Sequence, residues 1–262
     1  MWTGDARVAR VATDLAGGSL EGMRVLDLAC DEGNFANEMA TIGAAEVVGI
    51  EVRDSVYVAR ERAQVRHLEN ARFEQGDVRN VTNATHGTFD IVLCLGIMYH
   101  LDTPAVFDFA HNLQGLVKDG GFALIETQIA LKPRRTESYN DRVYHGKSYA
   151  EDVTMQGASI DNPLSFWPTR PSLMNLLSEA GFTSVLQVAV PAIPVVDQMV
   201  DHVVLAAFKG APHPFDPTAP AVWAERSAAW AHPTQGLRWR LLERLRRLGG
   251  QSRMRALFRR PD

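Results

Sequence analysis

Cysteine is nearly absent from this chain: of its 262 residues only Cys30 and Cys94 carry a thiol. Two thiols build neither a disulfide framework nor, alone, a zinc site, and they fit reduced cysteines in a cytoplasmic protein. Long apolar runs are missing too. The longest, Ile91 to Tyr99, is interrupted by Gly96 and falls far short of a membrane span. Asp5, Arg7, Arg10 and Asp14 leave the N-terminus without the apolar core of a secretory signal. Lysine is scarce, with four against 23 arginines. What remains is an ordinary globular composition, 46% hydrophobic and 22% charged, of a length that suits one large domain with appendages.

Charge is unevenly placed. Residues 238–262 hold nine arginines against Glu243 and Asp262, a net of +7, so the −4 of the whole chain leaves −11 on residues 1–237. An acidic body is not that of a nucleic-acid binder. The basic end has three readings: a solvated helix on its own domain, a contact for anionic lipid headgroups, or a tracker of RNA phosphates.

From residue 24 to about 128, strand and helix patterns alternate. Arg24–Ala29, Glu46–Glu51, Arg72–Gln75, Phe89–Leu95 and Phe122–Thr127 read as strands. Asn34–Ile42, Asp54–Leu68 and Pro104–Val117 read as the helices between them. Apolar strands separated by helices indicate an α/β fold with a parallel sheet covered on both faces. Residues 129–168 show no clear periodicity but are rich in aromatics, which argues for a functional loop. Thr169–Ala180 is a further helix, and Phe182–Val190 and Val203–Lys209 are two last strands joined by Pro191–Asp201. Seven strands are thus expected within residues 1–210, with a covering insert at 129–168. A proline- and alanine-rich linker over 211–236 and a basic amphipathic helix within 237–262 follow.

The chemistry begins at Val25-Leu-Asp-Leu-Ala-Cys-Asp-Glu-Gly33, followed by Val47-Val-Gly-Ile-Glu51. A strand runs into a turn and helix, and the next strand ends on a carboxylate, which is how α/β sheets hold a nucleoside. Read as D-x-G-x-G-x-G, the pattern keeps Asp27 and Gly33 but has Ala29 and Asp31 at the first two glycine positions. Alanine there permits close backbone approach if its φ is negative. Asp31 either faces a cationic group of the ligand or is a solvated turn residue.

Gly76-Asp77-Val78 and Phe89-Asp-Ile-Val-Leu-Cys-Leu-Gly96 complete an ordered set of landmarks, with Gly181-Phe182 before a late strand. Over residues 20–210 the chain resembles the class I S-adenosylmethionine-dependent methyltransferases. Leu95-Gly-Ile-Met-Tyr-His-Leu-Asp-Thr-Pro104 and Asn162-Pro-Leu-Ser-Phe-Trp167 look more narrowly like relatives of the tRNA wobble-uridine carboxymethyltransferase, which carries a sizeable N-terminal domain that this chain lacks. The resemblance implies a Rossmann-like, mostly parallel sheet and S-adenosyl-L-methionine as cofactor. By position it places Asp27, Ala29, Cys30 and Gly33 along the methionine moiety, with Ala29 and Cys30 offering backbone groups. It places Glu51 on the ribose diol, Asp77 and Val78 on the adenine, and Leu95 and Gly96 beneath the sulfonium. In such a fold Cys30 and Cys94 end neighbouring strands; packing is the expected role, a regulatory disulfide the alternative.

Methyl transfer to oxygen or nitrogen needs alignment and a proton acceptor. His100, just after the fourth strand, is the first candidate base, and His145 in the insert the second. Tyr99, Glu126, Tyr139, Arg142, Tyr144, Tyr149 and Trp167 are candidate substrate walls, since aromatic faces and an arginine suit a polar ring. Some ubiquinone-type O-methyltransferases bind a metal through E-x-x-E-H after this strand. Gly96, Tyr99 and His100 stand here instead, Asp102 and Glu126 are the only substitutes, and no metal is expected. The expected function is methylation of a small-molecule acceptor, at a hydroxyl of a sugar, glycolipid or natural product. Modification of a tRNA wobble uridine and non-catalytic cofactor binding are the alternatives. Oligomeric state is left open.

Overall fold

The structure, a computed structural model, describes residues 5–152, 154, 157–188 and 201–211. Its helices are α1 (Asp5–Leu15), α2 (Asn34–Thr41), α3 (Ser55–Val65), α4 (Asn83–His86), α5 (Ala105–Leu116) and α6 (Arg170–Glu179). The strands are β1 (Arg24–Leu28), β2 (Glu46–Glu51), β3 (Ala71–Gln75), β4 (Phe89–Leu95), β5 (Val117–Gln128), β6 (Arg135–Tyr139), β7 (Arg142–Ala150), β8 (Leu164–Pro168), β9 (Ser184–Gln187) and β10 (His202–Phe208).

Seven strands form one sheet, as the sequence predicts, and their order is β3-β2-β1-β4-β5-β10-β9. The first five are mutually parallel, and β10 runs antiparallel to both β5 and β9. Val25, Leu26, Leu28, Ile91, Val92 and Leu93 are buried, as central strands covered on both faces require. The chain leaves β1 towards β2 on one side and returns as β4 on the other. In open α/β sheets ligands bind outside the carboxyl ends of the strands where the order reverses, so β1 and β4 locate the candidate site.

Two features depart from the sequence reading. Helix α1 was not anticipated; it buries Val8, Val11 and Ala12, one stripe at helical spacing, and lies against α2. The insert is not an irregular loop but a three-stranded antiparallel sheet in the order β6-β7-β8. Its period-two pattern is hidden because Gly146 takes an inward position of β7 while Val143 points outward and is exposed. A Cβ at residue 146 would collide with the Trp167 carbonyl and the Phe166 ring, so glycine is the residue that lets β7 and β8 close up.

The alternation gives the small sheet two faces. Tyr144 and Phe166 are buried against Phe107 of α5, with ring centroids 5.0 and 6.0 Å away. Lys147, Tyr149, Ser165 and Trp167 share the other face through the pairs Lys147↔Trp167 and Tyr149↔Ser165. The expected linker and basic helix lie outside the described residues, as does most of Pro191–Asp201. Among the described residues no helix is long and apolar enough to cross a membrane.

Candidate active site

At the end of β1, Asp27 is 1% exposed and accepts a hydrogen bond from the Ala36 amide in the first turn of α2, at 3.2 Å. Burial pushes its carboxyl up to about 8; the Ala36 bond opposes this and Glu51 adds to it. The turn that follows keeps a glycine-type backbone without the glycines. Ala29 (φ 59°), Asp31 (φ 48°) and Gly33 (φ 72°) are all left-handed, so the negative φ required at Ala29 by the sequence reading is not what the chain adopts. A left-handed alanine costs about 1–2 kcal/mol, which the surrounding bonds must offset. Those bonds are present: the Cys30 amide donates to the Ile50 carbonyl at 2.9 Å and the Gly33 amide to the Cys30 carbonyl at 2.8 Å. The Cys30 amide is therefore engaged in the turn and not offered to a ligand.

At the end of β2, Glu51 is 2% exposed and receives two backbone donors, the Asp31 amide on Oε2 (3.0 Å) and the Arg53 amide on Oε1 (2.8 Å). A carboxylate has about four lone-pair sites, so these bonds use about half of them. Glu51 thus ties the left-handed turn to the end of β2. Asp77, after β3, instead chelates Arg79. Its oxygens take the Arg79 guanidinium at 2.5–3.0 Å and the Arg79 amide at 2.9 Å, which holds its carboxyl below the usual range. An adenine amino group there has to share Asp77 with Arg79. Val78 is buried at the start of a single 3-10 turn.

Leu95 ends β4, and Gly96 follows with φ 85°. A side chain at 96 would sit 3.4 Å from the Tyr99 hydroxyl and 3.5 Å from a Glu126 carboxylate oxygen, so Gly96, Tyr99 and Glu126 close on one point. Glu126, near the end of β5, meets the imidazole of His202 of β10, whose pKa burial lowers. Burial, with Glu126 and Glu151 nearby, pushes the Tyr99 phenol up, so it stays protonated at neutral pH. The Tyr99 carbonyl accepts from Trp167 Nε1 at 2.9 Å, which docks β8 against the edge of β4. Trp167 is stacked by Tyr149 at 4.2 Å and 17°, and Lys147 Nζ lies 4.1 Å from its ring centroid.

His100 lies one residue beyond Tyr99, the rings 4.3 Å apart. Its Nδ1 is 3.1 Å from Glu151 Oε1, and Ser165 Oγ donates to the same oxygen at 2.8 Å. Burial lowers the imidazole pKa below its ordinary value, Glu151 raises it and Arg53 lowers it, so the ring is neutral at physiological pH.

Tyr99, His100, Glu126, Tyr149 and Trp167 are thus gathered at one edge, and other predicted residues are not. Tyr144 donates its hydroxyl to Glu179 of α6, and Arg142 pairs with the same carboxylate at 3.1 Å. Tyr139 reaches Asp108 of α5 at 2.7 Å and lies on Phe107. These three fasten the small sheet to the helices and line no pocket with His100. His145 is exposed beside Thr136 (3.3 Å) and stands six residues from Glu151, roughly 20 Å of extended chain, so the two candidate bases do not meet. Glu151, Ser165 and His202 were missed because their roles come from strand pairing, which no local motif encodes. Cys30 faces Gly49 and Phe73 while Cys94 belongs to the α5-side core; both are free thiols, pushed up by burial. Asp102 is paired with Arg135 at 2.7 Å, and among the described residues no group of three or more His, Cys, Asp or Glu converges as metal ligands would.

A doubly covered sheet with a left-handed turn after β1 and a buried acid ending β2 is the arrangement of nucleoside-binding α/β proteins. Within that class, the chain belongs to the methyltransferase-domain family, whose profile matches residues 3–188. It is similar to the ubiquinone biosynthesis O-methyltransferase of Acinetobacter baumannii (strain AYE), 34% identical over 165 residues that cover 56% of this chain and 68% of the relative. The enzyme of that name from Acinetobacter baylyi is 36% identical over 161 residues, 55% of this chain and 66% of its own. These relatives do not carry the narrower resemblance to a wobble-uridine carboxymethyltransferase. Among solved structures, the N-terminal domain of EvdMO1 with S-adenosylhomocysteine bound superposes with a TM-score of 0.67 at 21% identity, over 80% of this chain and 82% of that one. The 1,6-didemethyltoxoflavin-N1-methyltransferase of Burkholderia thailandensis gives 0.56 at 19%, over 79% of each. At these identities the likeness is one of fold.

Proposed function

We propose that this protein is an S-adenosylmethionine-dependent O-methyltransferase acting on a ring hydroxyl of a small molecule such as a sugar, glycolipid or natural product. The reading is supported by two side chains at the carboxyl ends of neighbouring parts of the sheet: the buried Glu51, which would accept from a diol, and the half-buried His100, which would act as base. The residues fit the cofactor: the left-handed turn admits close backbone approach, and Glu51 has lone pairs to spare for a ribose. When bound, S-adenosylmethionine supplies a methyl group activated by a sulfonium.

The chain's own groups do the rest. Gly96 and Tyr99 floor the reacting centre, Trp167 and Tyr149 present aromatic surface to a ring, and His100 Nε2 takes the proton of the acceptor hydroxyl. Oxygen as the acceptor atom is supported by the naming of the relatives at 34–36% identity. The test is transfer of labelled methyl to a panel of hydroxylated rings. His100→Gln is expected to lower kcat by about 10²–10⁴ while S-adenosylhomocysteine affinity stays within threefold. An active His100→Gln enzyme would refute the role of His100.

A further inference from the structure

We propose that Glu151 is the positioning residue for His100, so that the insert sheet, and not the main sheet alone, completes the catalytic base. The inference rests on the reading of His100 as base. Glu151 directly follows β7, and its side chain is 4% exposed; that of His100 is 14% exposed. Glu151 Oε1 is shared between His100 Nδ1 (3.1 Å) and Ser165 Oγ (2.8 Å).

A neutral imidazole carries one donor and one acceptor nitrogen, and the partner of one decides the state of the other. A carboxylate beside Nδ1 demands a proton there, which leaves the lone pair on Nε2. The ring is held in place as well as in tautomer. Tyr99 lies against one side, and Asn162 Nδ2 donates to the His100 carbonyl at 3.0 Å. The Glu151 amide donates to the Pro163 carbonyl at 2.9 Å, which ties the carboxylate's own backbone to the segment leading into β8.

When Nε2 takes the acceptor's proton, the positive charge on the ring lies beside an anion that is already buried and oriented. The groups that face the imidazole are Glu151, Tyr99 and Arg53. Of these Glu151 alone favours the charged form, so it tunes how strongly His100 holds the proton it receives. The arrangement couples two parts of the chain some fifty residues apart: the base belongs to the main sheet and its orienting group to the cap.

The test is nitrogen-15 NMR of histidine-labelled protein saturated with S-adenosylhomocysteine, with the His100 signals identified by their loss in His100→Gln. In the unmodified chain His100 is expected as the Nδ1–H tautomer. Glu151→Ala should convert it largely to the Nε2–H form and lower its pKa by about one unit or more. Glu151→Gln, nearly isosteric, should keep the tautomer through its amide oxygen while still lowering the pKa. S-adenosylhomocysteine affinity, followed by calorimetry, should stay within threefold in both variants. Unchanged tautomer and pKa in both would overturn the proposal. A native chain that does not bind S-adenosylhomocysteine at all would instead sink the methyltransferase reading.

Discussion

At the scale of single residues, this site is built from groups placed against their usual preferences. Ala29 and Asp31 hold left-handed backbone that glycine adopts freely, and Glu51 is buried as a carboxylate because two amides meet it. Asp27 is the sharpest case. Its folded-state pKa of about 8 lies above the unfolded value near 3.9, so between those values the native chain binds a proton that the unfolded chain has released. Stability from this group is fully present below pH ~4 and is lost as pH rises through about 8. Asp27→Asn escapes that loss while keeping an oxygen for the Ala36 amide. The melting-temperature gain of Asp27→Asn over the native chain should grow from pH 5 to pH 8 and level off above. A pH-independent difference in scanning fluorimetry would show Asp27 ionised throughout. The strain at Ala29 was not legible, because sequence lists which residue stands at a turn but not the φ the surrounding bonds impose.

At the scale of elements, the small sheet shows why a motif-led reading succeeds on the core and falters on the insert. Strands β1, β4 and β5 announce themselves because their central residues, such as 91–94 and 122–125, are buried on both faces and form apolar runs. Strand β7 does not, since one inward position is Gly146 and the outward ones include Val143 and Tyr149. Five of the seven wall candidates, Tyr139, Arg142, Tyr144, Tyr149 and Trp167, therefore come from both faces of a sheet whose alternation the sequence hides. Two tyrosines separate the faces experimentally. Tyr144→Phe removes a buried hydroxyl–carboxylate bond and should cost about 1–3 kcal/mol in urea unfolding, with acceptor kcat/KM unchanged. Tyr149→Ala, at a 42% exposed position, should cost little stability and lower acceptor kcat/KM by about tenfold, one stacked ring's worth. The reverse pattern would mean that the face on α5 and α6 is the one that meets substrate.

At the scale of the whole molecule, the family, the seven-stranded sheet and its switch between β1 and β4 were legible from four short landmarks in order. What joined them physically is the parallel sheet itself, which brings the ends of β1, β2, β3 and β4 to one edge though they span nearly seventy residues. The pairing of the second sheet brings Glu151 to His100, Ser165 to Glu151 and Trp167 to Tyr99. On the proposed reading, the cofactor side is written locally in the chain and the acceptor side in tertiary pairing. The methyltransferase reading stands on Glu51 as the diol acceptor of the cofactor. Calorimetric titration of S-adenosylhomocysteine into the native chain and Glu51→Gln tests it most directly. The account predicts affinity about 10–100-fold weaker in the variant, the loss of one charge-assisted acceptor, with cooperative unfolding retained. Equal affinity in a folded Glu51→Gln protein would contradict it.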